Sequence, residues 1–391
     1  MRRKRIGILT GGGDVPGLNS VIKSVTYRGW ENGAEVVGIR LGFEGLTHVN
    51  LDDPQSAAKY VVDLNRENTR TIDRSGGTIL HSTRVGPSRV RVLPAHLKDR
   101  HFPTSEGPGG VSYDLTGQAL DNLARLKVDS LICIGGDGTL KSAAELGRLG
   151  VNVIGIPKTM DNDVHATEYC IGFSTAITRA TAAIDRQRTT IGSHERIGIF
   201  RIFGRDAGFS ALYAAHATSN RCVIPEYKVD LDKLIRLLIE EKRDNPSNYV
   251  LVILSEGATW HGYEVQYYGR PDLLGRRKKA SVAQVLAEEI ALRTSEETIV
   301  SDLTYDLRSG DPDFIDKLVA STFGTMALDA IFENQSGQMA AIVNGCYALV
   351  PLPAPSLGAR RVDVAAMYNT ERYRPLYGNK RGMPIFLNPV R

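Results

Sequence analysis

The chain has 391 residues, 42% of them hydrophobic and 24% charged, with a formal net charge of +4 at pH 7. That length supplies a core large enough for two lobes, and so mild a positive excess gives no reason to invoke nucleic acid. No apolar run approaches the roughly 18 residues a membrane-spanning helix needs; the short run after "MRRKR" is not a signal peptide; and Cys133, Cys170, Cys222 and Cys346 form no C-x-x-C pair. The expectation is a cytoplasmic protein with reduced, structural thiols and neither a membrane nor a nucleic-acid partner.

In chain order, the strand candidates are "RIGILTGGG", "AEVVGIRLG", "SLICIGGDG", "VNVIGIPKT", "RIGIFRIFG", "YVLVILSEG" and "AAIVNGCYALV". Runs this continuously apolar suit strands covered on both faces, as in a parallel sheet. Helical patterns fall between them, such as "LKSAAELGRLG" with its glycine stop and "DLDKLIRLLIEEKRDNP" with an aspartate start and a proline stop. The alternation predicts an α/β protein of two lobes, each an open, mostly parallel sheet flanked by helices. Residues 93–110, rich in Pro, Gly and charge, read as a surface insertion, and the chain from residue 354 onward as a docked tail.

In such sheets ligands bind at the carboxyl ends of the strands, and the unusual residues of this chain fall there. "LTGGGDVPGLN" places Gly12 among glycines at a strand-to-helix junction, which suits either close approach to phosphate or a tight turn without ligand. It matches neither a P-loop nor the G-x-G-x-x-G fingerprint. "GGDGT" sets Asp137 among Gly135, Gly136, Gly138 and Thr139, as a Mg²⁺–phosphate site would, or as a helix cap would. In "PKTMDND", an extended backbone would point Asp161 and Asp163 to one side, with Lys158 on the other. One carboxylate could then accept a proton while the other orients the hydroxyl; the bland alternative is a polar turn. Arg84, Arg196, Arg201, Arg205 and Arg308 follow or flank apolar runs and could grip phosphate or be solvated, and Glu256 ends a strand in "SEG".

"GGGDVPGLN", "GGTILHSTR", "GGDGT", "PKTMDND", "FGRDAG" and "SEG", in that order and spacing, resemble the phosphofructokinase family from about residue 5 to about residue 350. "GGDGT" alone is less specific, since NAD kinases and lipid kinases carry the same turn. The resemblance implies an active site in the cleft between two lobes, and phosphoryl transfer to the 1-hydroxyl of fructose 6-phosphate with Mg²⁺. It divides the chain into a larger donor-binding lobe, 1–172 with 307–357, and a smaller sugar-phosphate lobe, 173–306 with 358–391. Gly12, Arg84, Gly138, Thr139 and Lys158 would bind the phosphoryl donor and Asp137 the metal. Asp161 would be the base, assisted by Thr159, Asp163 and Arg205. Phe203, Gly204, Arg205, Glu256, Tyr305 and Arg308 would surround the sugar phosphate, and Arg196 would reach it from a neighbouring subunit of a homo-oligomer, a dimer or a tetramer.

The chain departs from the short bacterial form at Phe203 (usually Met), Tyr305 (His) and Ile299 (Arg), and Lys23 and Tyr27 stand where effector-site arginines are usual. Family members using pyrophosphate usually carry Asp after "GGD" and Lys in "PKT"; bacterial ATP enzymes carry Gly at both. Gly138 with Lys158 is a mixed pattern, and the room left by glycine favours ATP, with pyrophosphate as the alternative.

Overall fold

The computed structural model describes residues 3–107, 110–263, 267–270, 278–354, 356–378 and 381. Two sheets organise it. The first holds β1 (Arg5–Thr10), β2 (Glu35–Ile39), β3 (Val61–Leu64), β4 (Ser130–Gly135), β5 (Val153–Pro157), β10 (Gln338–Val343) and β11 (Cys346–Pro351). The second holds β6 (Ile197–Ile202), β7 (Arg221–Val223), β8 (Val250–Ser255) and β9 (Thr298–Asp302). The strand orders are β11-β10-β5-β4-β1-β2-β3 and β9-β6-β8-β7.

The interior strands are the ones with unbroken apolar runs. Every residue of β4, β5 and β8 is buried, because helices cover both faces of a parallel sheet and leave no solvent-facing alternation. The pairs β1–β2, β1–β4, β4–β5 and β5–β10 are parallel, as are all pairs of the second sheet. Within these two sheets, antiparallel pairing falls at the flanks of the first, β2–β3 and β10–β11.

Six helices matter for the site: α1 (Leu18–Glu31), α2 (Asp137–Arg148), α3 (Phe173–Ser193), α4 (Phe209–Thr218), α5 (Leu231–Asp244) and α6 (Phe314–Phe332). Helix α5 starts as predicted, with the Asp230 carboxylate accepting from Lys233 N, which satisfies one of the amides a helix start leaves open. Helix α2 does not follow the capping alternative: Gly136 is its N-cap and Asp137 lies inside the first turn. Asp316, at 0% exposed, joins α6 to the start of α3 by accepting from Gly172 N, Thr175 N, Thr175 Oγ1 and Tyr169 OH.

Three expectations need correction or sharpening. "AAIVNGCYALV" is not one strand but a hairpin, turning at Asn344 and Gly345 with φ of 50° and 76°; Asn-Gly is the residue pair that such a turn requires. The buried Glu168 carboxylate accepts from both turn amides, at 2.7 and 3.0 Å. The described part of 93–110 is not structureless: Leu97 is buried beside Val90 and Leu115, and the exposed strand Thr104–Gly107 pairs antiparallel with Gly110–Tyr113. The tail is docked as expected as far as it is described, with Tyr368 and Tyr373 at 2% exposure and backbone N of Cys222 donating to Tyr373 O. Cys133, Cys170 and Cys222 are buried free thiols and Cys346 is an exposed one. Among the described residues no helix is long and apolar enough to cross a membrane.

Candidate active site

The strands β1, β4 and β5 end side by side, so their following loops converge. Gly11 N donates to Ile134 O, Gly12 N to Thr83 O and Lys158 N to Gly135 O. The loop carrying Thr83 and Arg84 is held there by Ser82, whose hydroxyl donates to Gly12 O at 2.7 Å. Thr139, the second residue after Asp137, packs its side chain between two of these glycines. A Cβ at Gly11 or Gly135 would meet it at 2.4 or 2.3 Å, so only glycine lets the loops close on each other.

Lys158, 3% exposed, turns its ammonium into the first glycine loop and donates to Gly13 O at 2.5 Å. Burial pushes it down to about 8, with Arg308 and Arg84 repelling it further and Asp14 opposing. Arg84 and Arg308 thus face the same spot; Arg308 lies 3.6 Å from Asp14 and stacks on Tyr305 at 4.6 Å. The resemblance assigns Arg308 to sugar phosphate, yet here its guanidinium stands 2.8 Å from where a Gly13 Cβ would be. A cavity of about 750 Å³ opens from this loop, lined by Gly12, Gly13, Arg84, Gly138, Thr139 and Lys158, and continues along α2 to Ser142, Glu145 and Arg148. That volume lies within the roughly 300–1,000 Å³ of small-molecule pockets.

Of the two alternatives for "PKTMDND", an extended stretch or a polar turn, the structure has the turn. Asn162 has φ of 53°, so the chain turns between the two aspartates. The reason is tertiary: the fully buried Asn162 side chain donates to Glu168 O and accepts from Cys170 N, replacing the strand ladder with a closed turn. Asp161 remains half-buried, its Oδ1 sheltered and without a hydrogen-bond partner. Burial lifts its carboxyl to about 7; Asp163, Glu256 and Asp206 push it up as well, and Arg205 pulls it down. Asp163 is also raised, first by burial and further by Asp137, while its hydrogen bond with Thr159 opposes. These couplings put residues from both sheets around one carboxylate.

On the second sheet, β6 and β8 deliver "FGRDAG" and "SEG". Glu256 N donates to Ile202 O and Gly257 N to Gly204 O; a Cβ at Gly257 would sit 1.9 Å from Arg205 O, so the two loops touch backbone to backbone. Arg205, 64% exposed, pairs with Glu256 at 3.6 Å and presents much of its guanidinium to solvent. Phe203 packs against the core, and Tyr305 is exposed. Arg196 precedes β6 and pairs with Glu297 at 2.5 Å, which puts it a strand length, roughly 20 Å, from Phe203 and Arg205. Arg201, in β6, pairs with Asp302 at 2.8 Å.

Asp137 is the candidate metal ligand. It pairs with Lys141 at 2.8 Å and lies within electrostatic reach of Asp163. Among the described residues no group of three His, Cys, Asp or Glu side chains could cage an ion. Asp137 with Asp163 nearby offers the one or two carboxylates by which Mg²⁺ is commonly held together with substrate phosphates.

Residues not singled out from the sequence also build the site. Gly13 and Asp14 receive Lys158 and Arg308; Asn19, 2% exposed, ties Ser75, Gly76 and Ile79 to the first loop. Arg360 donates to Asn162 O across 198 residues. Asn19 closes the motif "LTGGGDVPGLN" and was findable there; Arg360 carries no local signal.

Two mostly parallel sheets with glycine loops, clustered cations and raised carboxylates at their strand ends are the equipment of an α/β phosphoryl-transfer enzyme. A family profile described as phosphofructokinase matches residues 5–331. The chain is 35% identical over 341 residues to ATP-dependent 6-phosphofructokinase 3 of Streptomyces coelicolor, covering 86% of this chain and 90% of that protein. It is 36% identical over 373 residues to a pyrophosphate–fructose 6-phosphate 1-phosphotransferase of Amycolatopsis mediterranei, covering 95% and 98%. A solved pyrophosphate-dependent phosphofructokinase from Marinobacter aquaeolei shares the fold with a TM-score of 0.75 at 16% identity, over 97% of this chain and 90% of that one. The chain belongs to the phosphofructokinase family.

Proposed function

We propose that this protein transfers the γ-phosphoryl of ATP to the 1-hydroxyl of fructose 6-phosphate. The observation that carries the donor is the shape of the cavity: it begins at Gly12 and Gly13, passes the bare Gly138 and continues along α2 to Arg148. A nucleoside needs that extension, whereas pyrophosphate would occupy only the loop end. Gly138 adds to this, because a side chain there would point into open space within the donor channel.

In this reading the first sheet carries the donor and the second the sugar phosphate, corresponding to the lobes 1–172 with 307–357 and 173–306 with 358–391. Gly12, Arg84, Gly138, Thr139 and Lys158 hold the donor phosphates. Arg308 joins them at Gly13, where it meets the phosphoryl group in transit between donor and sugar. Asp137 would hold Mg²⁺, which supplies charge neutralisation at the phosphates. Glu256 and Gly204 receive sugar hydroxyls, Phe203 and Tyr305 wall the pocket, and Arg205 takes the 6-phosphate. Arg196, too distant within its own chain, serves the site of a neighbouring subunit, which makes the working form a homo-oligomer.

Asp161 takes the proton of the 1-hydroxyl as the oxygen attacks. A carboxyl near 7 is matched to that work, since a base is most effective when its pKa lies near the operating pH. Thr159 and Asp163 hold the turn's geometry, and Arg205 offsets the negative charge that Asp161 carries before it takes the proton. With a loose transition state, positioning and charge do most of the catalysis.

A second reading, pyrophosphate as donor, is favoured by Lys158, whose buried ammonium lies against Gly12 and Gly13 and could grip either donor. A coupled assay with fructose 6-phosphate and Mg²⁺ separates the two. Turnover with ATP and none with pyrophosphate is expected. Turnover with pyrophosphate alone overturns the donor, and none with either donor overturns the sugar substrate.

A further inference from the structure

Arg360 lies in the C-terminal segment, beyond the residues the family profile matches. Its backbone N donates to Asp163 O at 2.7 Å and its Nη2 to Asn162 O at 2.6 Å. The guanidinium is stacked over the Phe209 ring at 4.7 Å, at the start of the helix that comes after "FGRDAG". Two residues on, Val362 N donates to Glu226 Oε1, and the same carboxylate oxygen accepts from Gly208 N. The segment is itself fastened to the second sheet, where Tyr368 OH donates to Cys222 O and Cys222 N to Tyr373 O. One short stretch of chain therefore touches the aspartate turn after β5 and the arginine loop after β6.

The turn needs such support. Asn162 adopts a left-handed φ of 53°, a conformation that asparagine tolerates better than other side-chain-bearing residues but that still has to be held by its surroundings. Its side chain is secured from within by Glu168 and Cys170. Among the hydrogen bonds of the described residues, its carbonyl is secured only by the Arg360 guanidinium, the contact that a change of side chain removes, and that of Asp163 only by the Arg360 backbone N. Ser210, one residue after Phe209, adds a third strut by donating to Met160 O at 2.9 Å.

We propose that Arg360 is a positioning residue for phosphoryl transfer: by clamping the carbonyls of Asn162 and Asp163 against the start of α4, it aims Asp161 at the acceptor hydroxyl. The inference rests on the reading of Asp161 as the base. Sugar phosphate and donor contact other groups, so the clamp acts on turnover and not on affinity.

The test is Arg360→Ala, with Arg360→Lys beside it, in the full-length protein. In Arg360→Ala kcat falls about 10–100-fold, the loss expected for a misplacement near 1 Å, while KM for fructose 6-phosphate stays within about twofold. Millimolar guanidinium partly restores kcat in Arg360→Ala and not in Asp161→Asn, and Arg360→Lys, with charge but no planar fork, falls between. An unchanged kcat in the folded variant overturns the proposal, as does a loss accompanied by a large drop in Tm and no guanidinium rescue. If the unaltered protein phosphorylates nothing with either donor, the functional reading fails separately. Hydrogen exchange then decides the clamp: amides of residues 159–172 exchange several-fold faster in Arg360→Ala if it holds the turn, and at the same rate if it does not.

Discussion

Asp161→Asn keeps the shape of the side chain while removing its charge, and the burial of this site sets the size of the effect. Desolvation, with repulsion from Asp163, Glu256 and Asp206, lifts the carboxyl from 3.8 to about 7. At about 1.4 kcal/mol for each pH unit, holding it ionised costs the fold up to roughly 4 kcal/mol. Part of the side chain opens to the cleft, so solvent screening reduces the cost to roughly 1–3 kcal/mol. The folded value lies above the unfolded one, so the folded state binds the proton more tightly. The unaltered protein therefore loses stability as pH climbs from about 4 to about 7. Asparagine has no proton to lose. Its stability advantage should be near zero at pH 4, grow through this window and level off above about pH 7. Thermal melts of both proteins across that range measure it, and an advantage equal at both ends refutes the buried-carboxylate argument. The same variant should lose about 10²–10⁴-fold in kcat while still binding sugar phosphate, and the unaltered protein's kcat/KM should fall on the acid side of about pH 7. Near-normal turnover in Asp161→Asn removes it as the base.

Gly138→Asp finds open space, with nothing within 4 Å of the new Cβ, so the protein should fold normally. Its carboxylate faces the donor phosphates, and kcat/KM for ATP should drop about tenfold or more relative to pyrophosphate; an unchanged donor ratio refutes the channel reading. Lys158→Met removes a buried ammonium that bonds Gly13 O, and donor KM should rise about 10–100-fold with sugar-phosphate KM unchanged. Because Lys158 is held near 8, donor binding in the unaltered protein should weaken above that pH, and the Met variant should show no such limb. Arg196→Ala should raise the KM for fructose 6-phosphate about tenfold without altering the fold, and a normal KM would remove the cross-subunit contact.

Most of the site's raw material was legible because its elements are local. Glycines next to an apolar run mark a strand end, and "GGDGT" and "FGRDAG" both lie where the structure puts strand ends, after β4 and β6. The hairpin at Asn344–Gly345 was also written in its residues, and reading that apolar stretch as one strand passed over the Asn-Gly pair. For the backbone of "PKTMDND" the residues offered both an extended stretch and a polar turn, and could not choose between them. Its turn depends on Asn162 finding Glu168 O and Cys170 N, bonds that only the folded loop supplies.

Sequence alone therefore determined the strand–helix alternation, the residue types at the strand ends and, through ordered motifs, the family. These depend on periodicity and short spacing, which chain geometry converts directly into faces and turns. Tertiary structure decided what distant segments do to one another. It set the desolvation that raises Asp161 and lowers Lys158, placed Arg308 at the first glycine loop, set Arg196 at the opposite end of β6 from Arg205 and brought Arg360 to the aspartate turn. Charge energies depend on distance and on exclusion of water, and neither exists until the chain has closed upon itself.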